Sequence, residues 1–174
     1  MCIRDSSWAT RSSVADATDL SDVLVEATGS IYVGNDPSGT TNSANYNVAL
    51  GTTALDAITT GDENVAVGYD ALTANTTGYE NTVLGYQAGD VIVAGNQNVI
   101  IGRNADPSAS GGVNQIVIGK GATGHGDNIA VIGNTDMTAW HPADDGGVDL
   151  GSSSYEFKDL YVDCLLYTSP SPRD

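Results

Sequence analysis

Apolar and polar positions along the middle of this chain alternate in a short motif that keeps returning: Asn47-Val48-Ala49-Leu50-Gly51, Asn64-Val65-Ala66-Val67-Gly68, Asn81-Thr82-Val83-Leu84-Gly85, Asn98-Val99-Ile100-Ile101-Gly102 and Gln115-Ile116-Val117-Ile118-Gly119. The register reaches back to Ser30-Ile31-Tyr32-Val33-Gly34. Glycines therefore recur every 17 residues at Gly34, Gly51, Gly68, Gly85, Gly102 and Gly119, with a shortened step of 14 to Gly133. A fixed period of this length is the mark of stacked repeats, each burying its apolar side only against its neighbours. The β-branched residues before each glycine suit strands rather than helices. The pattern predicts an all-β fold, a parallel β-solenoid with 17-residue coils, in which equivalent residues lie above one another at about 4.8 Å.

Reading the coil by columns assigns its faces, because side chains alternate along a strand. The positions three and one before each glycine are expected to line the interior: Ile31, Val48, Val65, Thr82, Val99 and Ile116, with Val33, Leu50, Val67, Leu84, Ile101 and Ile118. The position between them, Tyr32, Ala49, Ala66, Val83, Ile100 and Val117, is then expected to face outward. None of these is charged, and soluble monomers rarely expose a long apolar stripe. Ala49, Ala66, Val83, Ile100 and Val117 are accordingly assigned to an inter-chain contact. Alanine follows three residues after the glycine at Ala54, Ala71, Ala88, Ala105 and Ala122, twice joined by leucine at Leu55 and Leu72. This predicts a second, opposing strand, and Gly61, Gly78, Gly95 and Gly112 mark where the chain turns back, so the coil is expected to be flat and two-sided. Asn47, Asn64, Asn81 and Asn98 should stack as an asparagine ladder, a structural device of parallel strands. Upstream, Leu20-Ser21-Asp22-Val23-Leu24-Val25 fits one short strand, and Asn35-Asp36-Pro37-Ser38-Gly39 fits a turn.

The two ends stand apart from this pattern. Cys164-Leu165-Leu166-Tyr167-Thr168 can be encoded by TGT CTC TTA TAC ACA, and the opposite strand, shifted in frame, reads ATG TGT ATA AGA GAC, which is Met1-Cys2-Ile3-Arg4-Asp5. Residues 1–6 and 164–174 are therefore expected to be scars of a sequencing-library adapter, outside any argument about the fold. Both cysteines fall there, so no disulfide, metal site or redox compartment is argued from them. The net charge of −16 holds with or without these segments, since each carries one arginine and one aspartate. So acidic a surface argues against nucleic-acid binding and against anionic membranes, and no apolar run approaches the roughly 20 residues of a membrane helix. With 21 glycines and one phenylalanine, the chain lacks the bulk for one large core and suits a thin solenoid.

Candidate chemistry is sparse. Ile118-Gly119-Lys120-Gly121-Ala122 has the form of a hexapeptide repeat from left-handed β-helix acyltransferases, with His125 as the base it would need. That fold closes its turns at multiples of six, whereas these glycines keep 17, and His125 between Gly124 and Gly126 reads as a solvated turn residue. His141 near Asp144 and Asp145 lacks further ligands at a usual metal spacing. Asp62, Glu63 and Glu80 are acids on neighbouring coils, read as a solvated edge, and the Gly-Gly-x-Gly-x-Asp signature of calcium-binding rolls is absent. The Thr59-Thr60 and Thr76-Thr77 pairs stop too early for an ice-binding face. No catalytic residue, cofactor site or metal site is assigned, and the chain is expected not to be an enzyme.

The stretch Asn64-Val65-Ala66-Val67-Gly68-Tyr69-Asp70-Ala71-Leu72-Thr73-Ala74-Asn75-Thr76-Thr77-Gly78 resembles the head repeat of YadA-type trimeric adhesins, which is shared by bacteriophage tail fibres. That resemblance spans about residues 31–133 and implies a left-handed β-roll with three chains side by side, a homotrimer. Asp149-Leu150-Gly151-Ser152-Ser153-Ser154-Tyr155-Glu156-Phe157-Lys158-Asp159-Leu160-Tyr161-Val162 resembles a segment of phage tail fibres, as does, more briefly, Asp19-Leu20-Ser21-Asp22-Val23. The expected organisation is a lead-in over 7–29, the roll over 30–133 and a connector over 134–163. The resemblance implies a structural and adhesive shaft segment of a virion tail fibre. It would contact other virion proteins and position a receptor-binding part, lying outside this chain, against a host glycan or protein. The head of a bacterial surface adhesin is the alternative, and a hexapeptide acyltransferase the distant third.

Overall fold

The computed structural model describes residues 23–25, 29–34, 43–141, 150–159 and 161. Eight strands form one sheet in sequence order: β1 (Val23–Val25), β2 (Ile31–Val33), β3 (Val48–Leu50), β4 (Val65–Val67), β5 (Thr82–Leu84), β6 (Val99–Ile101), β7 (Ile116–Ile118) and β8 (Ala130–Ile132). From β2 to β8 the pairing is parallel, with Val48 on Val65, Val65 on Thr82 and, across the shortened step, Ile116 on Ala130. β1 runs antiparallel to β2 and covers that edge of the sheet. Among the described residues there is no helix, and the fold is an all-β parallel solenoid. The expected turn at 35–39, residues 1–6 and 164–174 lie outside the described residues.

The chain divides into two units, residues 1–138 and 139–174. The solenoid belongs to the first. In the second, Ser152 and Tyr155 exchange backbone hydrogen bonds in a tight turn, and Leu150, Tyr155, Phe157 and Tyr161 are exposed.

Among the described residues the expected second strand is not formed. In its place the coils after Gly51, Gly68 and Gly85 make two successive turns: the Ala54 N–H donates to the Gly51 carbonyl and the Ile58 N–H to that of Leu55, each at 3.2 Å. The same pair recurs as Ala71 to Gly68 and Asn75 to Leu72, then as Ala88 to Gly85 and Ile92 to Gly89. Thr53 and Leu55 have φ of 59° and 54°, Asp70 and Leu72 of 54° and 53°, values foreign to a strand. The tighter path still satisfies the backbone, because bonds run along the axis from coil to coil: Leu55 N–H to Ala71 O at 3.1 Å, Asp70 N–H to Thr52 O at 3.1 Å, Thr76 N–H to Val93 O at 2.9 Å.

The strand faces are the reverse of those expected. Tyr32, Ala49, Ala66, Val83, Ile100 and Val117 are 0% exposed, while the residues on either side of each are exposed or half-buried. Ala49, Ala66, Val83, Ile100 and Val117 therefore pack inside their own coil and are not available for inter-chain contact. A coil this small admits one side chain from each three-residue strand, and alternation then sends the other two out. The asparagine two residues earlier shares that inward phase, so a buried ladder and a buried strand centre come together. Volumes trade within this narrow core. Ala49 and Ala66 share it with Leu55 and Leu72, whereas Val83 occurs with Gly89, where a Cβ would lie 3.4 Å from Val83 Cγ2 and 3.3 Å from Leu72 Cδ2.

Candidate interaction face

The interior is chemically closed. The Asn64 amide donates to Asn47 Oδ1 at 3.0 Å and to the Gly78 carbonyl at 2.9 Å, and its own Oδ1 accepts the backbone N–H and the side-chain amide of Asn81 at 3.1 and 2.9 Å. Asn81 and Asn98 repeat the arrangement, onto the carbonyls of Gly95 and Gly112. At one end Ser30 Oγ accepts the Asn47 N–H at 3.0 Å. At the other, Gln115 takes the position, its N–H on Asn98 Oδ1 and its amide on Ser108 Oγ and Asp127 Oδ1. Every donor of Asn64, Asn81 and Asn98 is committed to the fold, which leaves these amides nothing to offer a ligand.

The glycines before the turns are held by two causes at once. Gly51, Gly68, Gly85, Gly102 and Gly119 have φ between 136° and 147°, Gly34 has 79° and Gly133 has 96°. A Cβ on Gly51 would also stand 2.5 Å from the Gly68 carbonyl oxygen. Gly95, by contrast, needs no unusual φ; a Cβ there would stand 2.7 Å from the Gly112 oxygen, one of the ladder's acceptors.

One polar group inside the roll is poorly placed. Asp106 Oδ1 is buried without a hydrogen-bond partner. Burial pushes this carboxyl up to about 6, the Asp90 charge adds to the rise, and backbone hydrogen bonds from Val91, Gly89 and Asp90 oppose it. Asp90 is itself raised, by burial and then by the charge of Asp70. Among the described residues no group of three histidines or acids is disposed to hold a metal ion. His125 and His141 are both exposed.

What the fold leaves open is a face. Ile31, Val48, Val65 and Ile116 are 37–41% exposed, and Leu50, Leu84 and Ile132 are 42–49% exposed, with Val33, Val67, Val99, Ile101 and Ile118 half-buried between them. These two columns, apolar except at the exposed Thr82, run along the strands β2 to β8, a surface roughly 30 Å long and 10 Å wide from strand spacing and rise. Its two edges differ. On the C-terminal side of the strands, directly after the glycine corners, stand Tyr69, Tyr86, Arg103 and Lys120, all exposed. The two tyrosine rings stack with centroids 5.2 Å apart, and the Arg103 guanidinium lies 5.5 Å from the Tyr86 centroid. On the N-terminal side, a hollow of about 230 Å³ is lined by Thr60, Asp62, Glu63, Tyr79 and Glu80. Glu63 and Glu80 sit there at φ of 59° and 56°, each just before a ladder asparagine.

The spacing in the sequence identifies the glycine corners and the ladder asparagines, but the strand centres it assigns to the outside are buried. Ser30 and Gln115 stand in the asparagine column of the repeat, which is the signal that they end the ladder. Comparison with family models, with curated proteins and with solved structures finds no match for this chain.

Proposed function

We propose that this chain is a structural and adhesive shaft segment of a phage tail fibre, built as a left-handed β-roll that assembles into a homotrimer and does no catalysis. The observation that carries the reading is the uncovered apolar face along β2 to β8. An apolar strip of roughly 300 Å² reaches the size of patch that soluble chains commonly keep for an interaction, and a net charge of −16 opposes nonspecific clustering as its cover. A second copy, presenting the same strip around a common axis, covers it without any further partner. A repetitive body whose ladder amides are saturated by the fold suits a spacer. The repeat and the segment at 149–162 resemble those of tail fibres, which supplies the number three and the virion setting.

Light scattering of the full chain tests the assembly. A mass near three times the 17.8 kDa of one chain is expected, and a folded monomer at micromolar concentration would refute it. The reading frame in its genome tests the setting: adjacent tail or baseplate genes support the fibre, and an outer-membrane anchor downstream refutes it.

A further inference from the structure

We infer, building on the trimeric reading above, that neighbouring copies are joined at their edges by Arg103 of one chain and Glu80 of the next. Three flat faces turned toward one axis meet at three corners, and rotation about that axis brings the C-terminal edge of each strand row against the N-terminal edge of the following copy. Equivalent coils then stand at equal height. The two edges are complementary. One carries Arg103 and Lys120, the only lysine or arginine within residues 43–138, and the other carries Asp62, Glu63 and Glu80 around a hollow walled by Tyr79. Among the described residues the one ion pair is Lys158 with Asp159, so neither Arg103 nor Lys120 is neutralised within its own roll.

The heights match as well. Arg103 follows β6, but its guanidinium reaches toward β5 to lie over the Tyr86 ring. Glu80 precedes β5, but its carboxylate reaches toward β6 to accept the Gln97 amide at 2.9 Å. Each side chain thus leans from its own coil into the gap between the same two coils. Within one chain they cannot meet, because six residues from Glu80 to Tyr86 span the face, roughly 20 Å in extended backbone. Between copies, the guanidinium enters the rim of an acidic hollow with an aromatic wall, the setting in which arginine is favoured over lysine.

The experiment pairs Glu80→Cys with Arg103→Cys in a chain carrying Cys2→Ser and Cys164→Ser. A bis-maleimide of about 10 Å reach bridges the Cα separation of an arginine–glutamate pair but falls short of the roughly 20 Å between the two edges of one chain. Crosslinking is expected to give a covalent trimer on a denaturing gel, and either cysteine alone is expected to give none. A trimeric mass by light scattering with only monomer on the crosslinked gel would overturn the edge pairing and leave the trimer standing. A monomeric mass before crosslinking would overturn the trimeric reading itself. As a second readout without cysteines, Arg103→Glu is expected to weaken association about tenfold and Glu80→Arg to restore it when the two are combined; additive losses would overturn the pairing.

Discussion

Replacing Asn81 by aspartate changes one nitrogen to oxygen and leaves shape untouched, which makes it a clean probe of the ladder. The wild-type amide donates to Asn64 Oδ1 and to the Gly95 carbonyl, both at 2.9 Å, while its oxygen accepts from Asn98. An ionised carboxylate keeps the accepting role and loses both donors. Asn64 Oδ1 still holds the backbone N–H of residue 81 at 3.1 Å, so one buried carbonyl, that of Gly95, is orphaned. That orphan costs about 1–3 kcal/mol. The negative oxygen would also face two acceptor oxygens in a site with no solvent, which adds several kcal/mol unless the carboxyl takes up a proton. Protonation restores one donor and halves the loss. The folded form therefore binds a proton that the unfolded chain, with an ordinary carboxyl, releases, and the deficit against wild type must grow as pH rises. We expect Asn81→Asp to be about 2 kcal/mol less stable than wild type near pH 4 and about 4 kcal/mol or more near pH 7. Urea titrations followed by circular dichroism, at one protein concentration so that assembly does not shift the midpoints, measure this. Equal deficits at the two pH values would refute the assignment of the amide nitrogen to the Gly95 carbonyl.

Three further outcomes follow from the same geometry. Gly68→Ala should cost about 3 kcal/mol or more, since φ is +136° and the new Cβ would run into the Gly85 carbonyl group, whereas Gly111→Ala, with nothing within 4 Å, should be near neutral; thermal melts of the pair decide it. Ala66→Glu should prevent folding because Ala66 is 0% exposed, while Leu84→Glu, 48% exposed, should keep a strand-type circular dichroism spectrum and lower the mass seen by light scattering. Asp106→Asn should stabilise the chain by about 1 kcal/mol at pH 7, after allowance for the solvent that still reaches the carboxylate. Its carboxyl is raised to about 6 from 3.8, so wild-type stability falls as pH climbs between those values and is level above them, and the gain from asparagine should vanish below pH 4.

The period was legible because stacking repeats every column, and six glycines at steps of 17 leave little freedom in the register. The phase of the strands was not, for a physical reason. Two apolar columns, those of Val48 and Leu50, flank one column of small or apolar residues, that of Ala49, and hydrophobicity alone favours burying the two. The decisive term is the width of the coil, which depends on the turns at Thr53 and Leu55, and left-handed φ at threonine or leucine carries no signature in sequence. A local signal was nonetheless present. Asn47 and Ala49 are two apart and so share a face, and a ladder of amides saturated by backbone carbonyls belongs inside. The edge residues Tyr69, Tyr86 and Arg103 were equally hard to see, because their meaning lies in rings stacking across a period rather than in any motif along the chain.

The unvarying offset between β2 and β7 also makes this roll a ruler. The interior bonds close a turn within one coil or join it to the next, so no coil refers to its absolute position. Unequal recombination between two repeats removes or duplicates 17 residues and leaves each ladder amide, glycine corner and apolar column with a partner of the same kind. A change of another size keeps the columns in register only where the altered coil still closes, as the step of 14 from β7 to β8 does. Such a gene can lengthen or shorten its product only in steps of one coil, about 4.8 Å each, a fine adjustment of reach that requires no new packing solution.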